Sequence, residues 1–165
     1  MGEGVEEISH EQVRLFPSRT EEDTDRTLIL LEEFRFMKNF IREFEKNGEI
    51  LYLADIEGEN ARKVFGDETH ADKTGTAVIR HEIRQWRYNE YKIGVAGLII
   101  AHGMIDDDEV RNAVEYFYLQ GIPKMRSARE LHMDKNTFGR RIKAGKKSIE
   151  KHLKPLGVLD RDWTF

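Results

Sequence analysis

Residues Pro123 to Leu153 read PKMRSARELHMDKNTFGRRIKAGKKSIEKHL, and the periodicity of this stretch decides the fold. It divides into a short amphipathic helix, a tight turn and a longer basic helix. Ala128 and Leu131 stand three apart and share a helical face. Pro123 suits a first helical turn, where its missing N–H costs nothing. Met133 is an apolar plug in the turn, and Asp134 is a good N-cap for the second helix. That helix carries Phe138, Ile142, Gly145, Ile149 and Leu153, a stripe that faces a core.

The other face of the same helix carries the functional information. Asn136, Arg140, Lys143 and Lys147 repeat at helical spacing about half a turn from the apolar stripe, and Arg141, Lys146 and Lys151 flank them. A helix that packs with one face and enters a major groove with the other needs this arrangement. Arg forks onto guanine, Asn pairs with adenine, and Lys reaches phosphates. The pattern reads as a helix-turn-helix; the bland alternative is a solvated basic face on an ordinary helical hairpin.

Charge supports the first reading once it is divided along the chain. The net charge is −4, but residues 124–154 hold 11 Lys/Arg against 3 Asp/Glu, a local balance of +8. Residues 1–123 hold 15 against 26. A basic end on an acidic body is expected of a nucleic-acid reader joined to a protein-contacting part. With no cysteine in 165 residues, neither a disulfide framework nor a thiolate metal site is available. Ile93 to Ala101, the longest apolar run, is too short to span a bilayer, and no N-terminal run resembles a signal peptide, so a cytoplasmic protein without a membrane partner is expected.

Upstream, Glu6–Phe16 suits a short helix broken by Pro17-Ser18, and Thr24–Lys46 a long one whose wide apolar surface packs on two sides or pairs with a second copy. Asn47-Gly48 is expected to end that helix. The glycine-rich, acidic stretch at about 55–75 reads as a linker; its Asp55, Glu57 and Glu59 lack the spacing of a calcium loop. A second long helix runs from Thr76 to about His102, with Arg80, Arg84 and Arg87 on one face, a lesser basic patch that either meets phosphates or, as expected, pairs with Glu82 and Glu90. Gly94 and Gly97 mark close packing or a kink. Asp106 to Glu109 load negative charge at the start of the next helix, where the macrodipole favours it, and Gly121 ends that helix. The expected organisation is all-α: residues 1–75 a helical N-terminal region, 76–154 a long helix plus the helix-turn-helix, and 155–165 a tail.

The run EVRNAVEYFYLQGIPKMRSARELHMDKNTFGRRIKAGKKSIEKHL resembles the helix-turn-helix of sigma-70 region 4, and within that group the phage late transcription regulators of the ArpU and RinA types. The resemblance covers about Thr76 to Leu153. It implies a helical N-terminal part, a sigma-region-4-like domain and activation of late or packaging genes. Carried over by position, Ala128 and Leu131 are core, Asp134 is the cap and Lys135 to Lys147 read DNA. The candidate contacts are then Lys124, Arg126, Lys135, Asn136, Thr137, Arg140, Arg141, Lys143, Lys146 and Lys147. His132 stands where the turn usually has glycine, and Ser127 where a branched apolar residue is usual. Gly139 and Gly145 weaken the reading helix by roughly 1 kcal/mol each relative to Ala.

No nucleophile elbow, phosphate loop or H-E-x-x-H spacing is present, so neither catalysis nor a metal or other cofactor is expected. The expected partners are double-stranded DNA, host RNA polymerase and a second copy through the N-terminal helices. Two other functions fit the same motif: a small-terminase-like DNA-packaging component, and a sigma-like protein that docks on RNA polymerase.

Overall fold

The computed structural model describes residues 21–64 and 73–163; the expected helix at 6–16 lies outside them. The described residues are helical, with no strand among them. Two long helices, α1 (Glu21–Val64) and α2 (Lys73–Gly103), are followed by three shorter ones. These are α3 (Asp108–Val114, prolonged by a π-helical turn over Glu115–Leu119), α4 (Lys124–Glu130) and α5 (Lys135–Leu153).

α1 and α2 form an antiparallel hairpin whose register is fixed by rings and charges. Tyr91 lies edge-on to Phe36 and Phe40, Phe44 meets Tyr88, and Tyr52 meets His81. Farther along, Arg84 reaches Asp55 at 2.5 Å and Tyr88 donates to Glu45 at 2.7 Å. These pairings correct two expectations. α1 does not stop at Asn47-Gly48, and residues 55–64 are helix rather than linker. Gly48 is a helix-weakening residue, but the Phe44 ring lies about where its Cβ would begin to crowd, and α2 supplies partners to the turns beyond. Tertiary contact overrides the local stop signal.

The main core gathers at the opposite end of the hairpin. Leu30, Leu31, Phe34 and Met37 of α1 meet Tyr91, Val95, Leu98 and Ala101 of α2, Val110 and Val114 of α3, and Ile149 and Leu153 of α5. The core therefore crosses the boundary expected at residue 75, and α1 does pack on two sides: α2 on one, α5 and the π-helical turn on the other. Val158, Leu159 and Trp163 are also buried in it, so residues 155–163 are packed structure and not a tail. Gly94 and Gly97 make room for them. A Cβ at Gly97 would come within 2.7 Å of Val158 Cγ2, and one at Gly94 within 2.9 Å of the Trp163 ring. Trp163 Nε1 donates to the Val158 carbonyl at 2.9 Å, which satisfies the one polar atom the ring carries inward.

A smaller core holds α3, α4 and α5 together: Ala113, Ala128 and Phe138, with Phe117, Leu131, Met133 and Ile142 around them. Phe138 is wholly buried and meets Phe117 edge to face. Gly145 sits at the crossing of α5 over α3, where a Cβ would come within 2.2 Å of Val114 Cγ2. The glycine that costs helix propensity is thus what lets the two helices approach.

Candidate nucleic-acid interface

The turn between α4 and α5 sets how α5 is presented. Met133 N–H donates to the Ala128 carbonyl at 2.8 Å and His132 N–H to the Arg129 carbonyl at 3.1 Å, the paired bonds of a Schellman stop. This closure requires a left-handed residue at position 132, and His132 adopts φ of 52°. Ser127, fully buried, donates its Oγ to the Ile122 carbonyl at 3.0 Å, so a hydroxyl stands in an apolar position with its bond made. Asp134 then opens α5: its Oδ1 accepts from the N–H of Asn136 at 2.9 Å and of Thr137 at 3.0 Å. Hydrogen bonding from Thr137, side chain and then backbone, holds the Asp134 carboxyl below the usual carboxylate range.

From that start α5 displays two faces. Phe138, Gly145, Ile149 and Leu153 are buried, and Ile142 is half-buried against the smaller core. On the far side Asn136, Arg140, Lys143, Lys147 and Lys151 are exposed along one continuous stripe, with Lys135 exposed at its head. None of these cations forms an ion pair among the described residues. Arg140 Nη2 lies 3.3 Å from the Thr137 hydroxyl, which steadies the guanidinium close to the helix surface. Lys124, from the start of α4, is brought beside the stripe: its Nζ lies 3.5 Å from where a Cβ on Gly139 would stand. Lys151 belongs to the stripe as fully as Lys147, and helical spacing alone identifies it.

Three candidate contacts are placed less openly. Arg141 turns toward the N-terminus of α3, reaching Glu109 at 2.5 Å and Asp107 at 3.4 Å, with its Nε buried and unpartnered. Its charge is committed within the molecule, and it does not stand with the open stripe. Arg126 is exposed but pairs with Glu130 along α4 at 3.5 Å. Lys146 is half-buried. Lys154 adds to the local positive balance but pairs with Asp23 at 2.5 Å. The usable positive charge is therefore concentrated on the outward stripe of α5.

The acidic run before α3 has a structural role. Asp107 Oδ1 caps α3 by accepting from Glu109 and Val110 N–H, and Asp108 pairs with Arg111. No group of acidic or histidine side chains suited to a metal ion occurs among the described residues. On α2, Arg84 and Arg80 meet Asp55 of α1, and Glu90 meets Arg161. That corrects the pairing expected of the arginine row with Glu82 and Glu90. Among the described residues no helix is long and apolar enough to cross a membrane. Comparison with protein-family models, with curated proteins and with solved structures gave no match, so what can be said of the site comes from its own geometry.

Proposed function

We propose that this chain is a sequence-specific DNA-binding transcription regulator that inserts α5 into the major groove. The observation that carries the reading is the outward stripe Asn136, Arg140, Lys143, Lys147 and Lys151 on a helix whose other face is buried. Arg140 and Asn136, in the first two turns, are of the types that pair bidentately with guanine and adenine. The lysines farther along suit phosphates, which orient the helix without reading sequence. The resemblance to phage late regulators makes activation of late or packaging genes the biological role, with host RNA polymerase as protein partner. Self-association through the helices before the helix-turn-helix belongs to the same reading, since paired half-sites are read by paired subunits.

Two substitutions test the roles separately. Arg140→Ala is expected to cost about 1–3 kcal/mol at one base position and to relax discrimination there. Lys147→Ala is expected to weaken binding to all duplexes alike and to reduce the salt slope by about one. If both variants bind selected and random DNA as the parent chain does, α5 is not the reading helix.

A further inference from the structure

The first half of α2 carries an apolar stripe that the described chain leaves bare. Ile79, Ile83 and Trp86 are 55%, 49% and 55% exposed. They follow the 4-3 spacing of a coiled-coil seam, which Glu90, Ile93 and Gly97 continue. The residues of α2 that meet α1, among them His81, Arg84, Tyr88 and Tyr91, lie on the other side of the helix. Between Glu90 and Gly97 the chain covers the stripe itself: Arg161 pairs with Glu90, and Val158 and Leu153 close over Gly97. Over the first half of the helix nothing among the described residues covers the same seam. Three large side chains on one face are more than the scattered exposure of an ordinary helix surface.

The charges beside the seam select its occupant. Glu82 precedes Ile83 and Arg87 follows Trp86; both are exposed, and neither forms an ion pair among the described residues. In two parallel helices, positions five apart on the two edges of the seam face each other across it. Glu82 of one copy then meets Arg87 of the other, and two-fold symmetry repeats the pair on the second edge. In antiparallel helices like charges meet instead, Arg80 with Arg87 and Glu82 with its own counterpart. We propose that a second copy of this chain docks in parallel on α2 through Ile79, Ile83 and Trp86, flanked by reciprocal Glu82–Arg87 pairs. Beyond Glu90 the C-terminal segment of each copy lies on the seam and drives the helices apart, so the pair meets over two to three turns and then diverges. Both α5 helices consequently lie at the same end of the particle.

This deepens the self-association in the proposed function, and it is tested without DNA so that its failure is distinct from failure of the DNA reading. Sedimentation equilibrium of the full chain across a concentration series is expected to give a mass rising from 19.4 kDa toward twice that value. Ile83→Glu should remain monomeric with unchanged helical circular dichroism. Glu82→Arg and Arg87→Glu should each shift the equilibrium toward monomer by about tenfold. An equimolar mixture of the two should restore a mixed dimer, because each edge then regains one acid and one base. A parent chain that stays monomeric throughout, an Ile83→Glu variant that still dimerises, or a mixture that stays monomeric would each overturn the proposal.

Discussion

The two halves of α2 end in different surroundings. Over Glu90–Ala101 one face of the helix is enclosed: Val95, Leu98 and Ala101 are buried with α1, α3, α5 and the Val158–Trp163 segment around them, while Ile99 and Ile100 stay exposed. Over residues 76–86 only α1 meets it among the described residues, and Val78, Ile79, Ile83 and Trp86 face outward. Composition distinguishes them in part: Ile93–Ala101 is the longest apolar run, whereas Arg80, Glu82 and Arg84 interrupt the apolar residues of the first half. The rest of the difference lies in what arrives from far along the chain. Gly94 and Gly97 admit a C-terminal segment more than 50 residues away, and no comparable gap exists among Ile79, Ile83 and Trp86. A stripe on a helix states that something must cover it; glycines in the stripe state that the cover comes close.

The sharpest test of this contrast sets a buried side chain against an exposed one. Leu98→Ala, in the enclosed half, should cost roughly 2–5 kcal/mol, read as a fall in thermal midpoint and in denaturant midpoint. Trp86→Ala, measured in dilute solution, should cost less than about 1 kcal/mol, because its ring is more than half exposed. Equal losses would mean that the two halves of α2 are not packed differently.

A smaller effect separates glycines that admit a neighbour from one that does not. Gly145→Ala and Gly97→Ala should each destabilise by about 1–3 kcal/mol, since the added methyl falls within 2.2 Å of Val114 and 2.7 Å of Val158 respectively. Gly139→Ala should stabilise by up to about 1 kcal/mol, because only the flexible end of Lys124 lies nearby and Ala favours the helix. A stabilising Gly145→Ala would show that the α3–α5 crossing relaxes freely.

The smallest effect is the pH dependence of the α5 cap. The Asp134 carboxyl is held below its ordinary value, so its contribution is present above the unfolded pKa of about 3.9 and is lost as pH falls through the lower folded value. Asp134→Asn should therefore lose part of the acid-side slope of stability below pH ~4 while keeping a capping side chain. Identical slopes for parent and variant would remove the charged cap from the account.

Local signals carried much of the fold. The C-terminal helices were legible because each has its own period and a stop or start signal, Gly121 at φ of 68° and Asp134 as a working N-cap, whereas His132, at φ of 52°, fills a place that glycine usually takes. The outward stripe of α5 was legible for the same reason, as an arc left over once the apolar arc is assigned. Arg141 was not, because its commitment depends on Asp107 and Glu109, brought beside it only when α3 packs on α5. Nor was the continuation of α1 through Gly48, which depends on α2 returning alongside it. Val158, Leu159 and Trp163 form too short an irregular segment to show any period, so their burial had no signature beyond being apolar.

The central claim, that α5 reads DNA, is tested most directly by titrating the purified full chain onto random duplex and onto a selected pool at several salt concentrations. The account predicts binding that falls steeply as salt rises, with a sequence enriched in the selected pool. Absence of binding at low salt would contradict it.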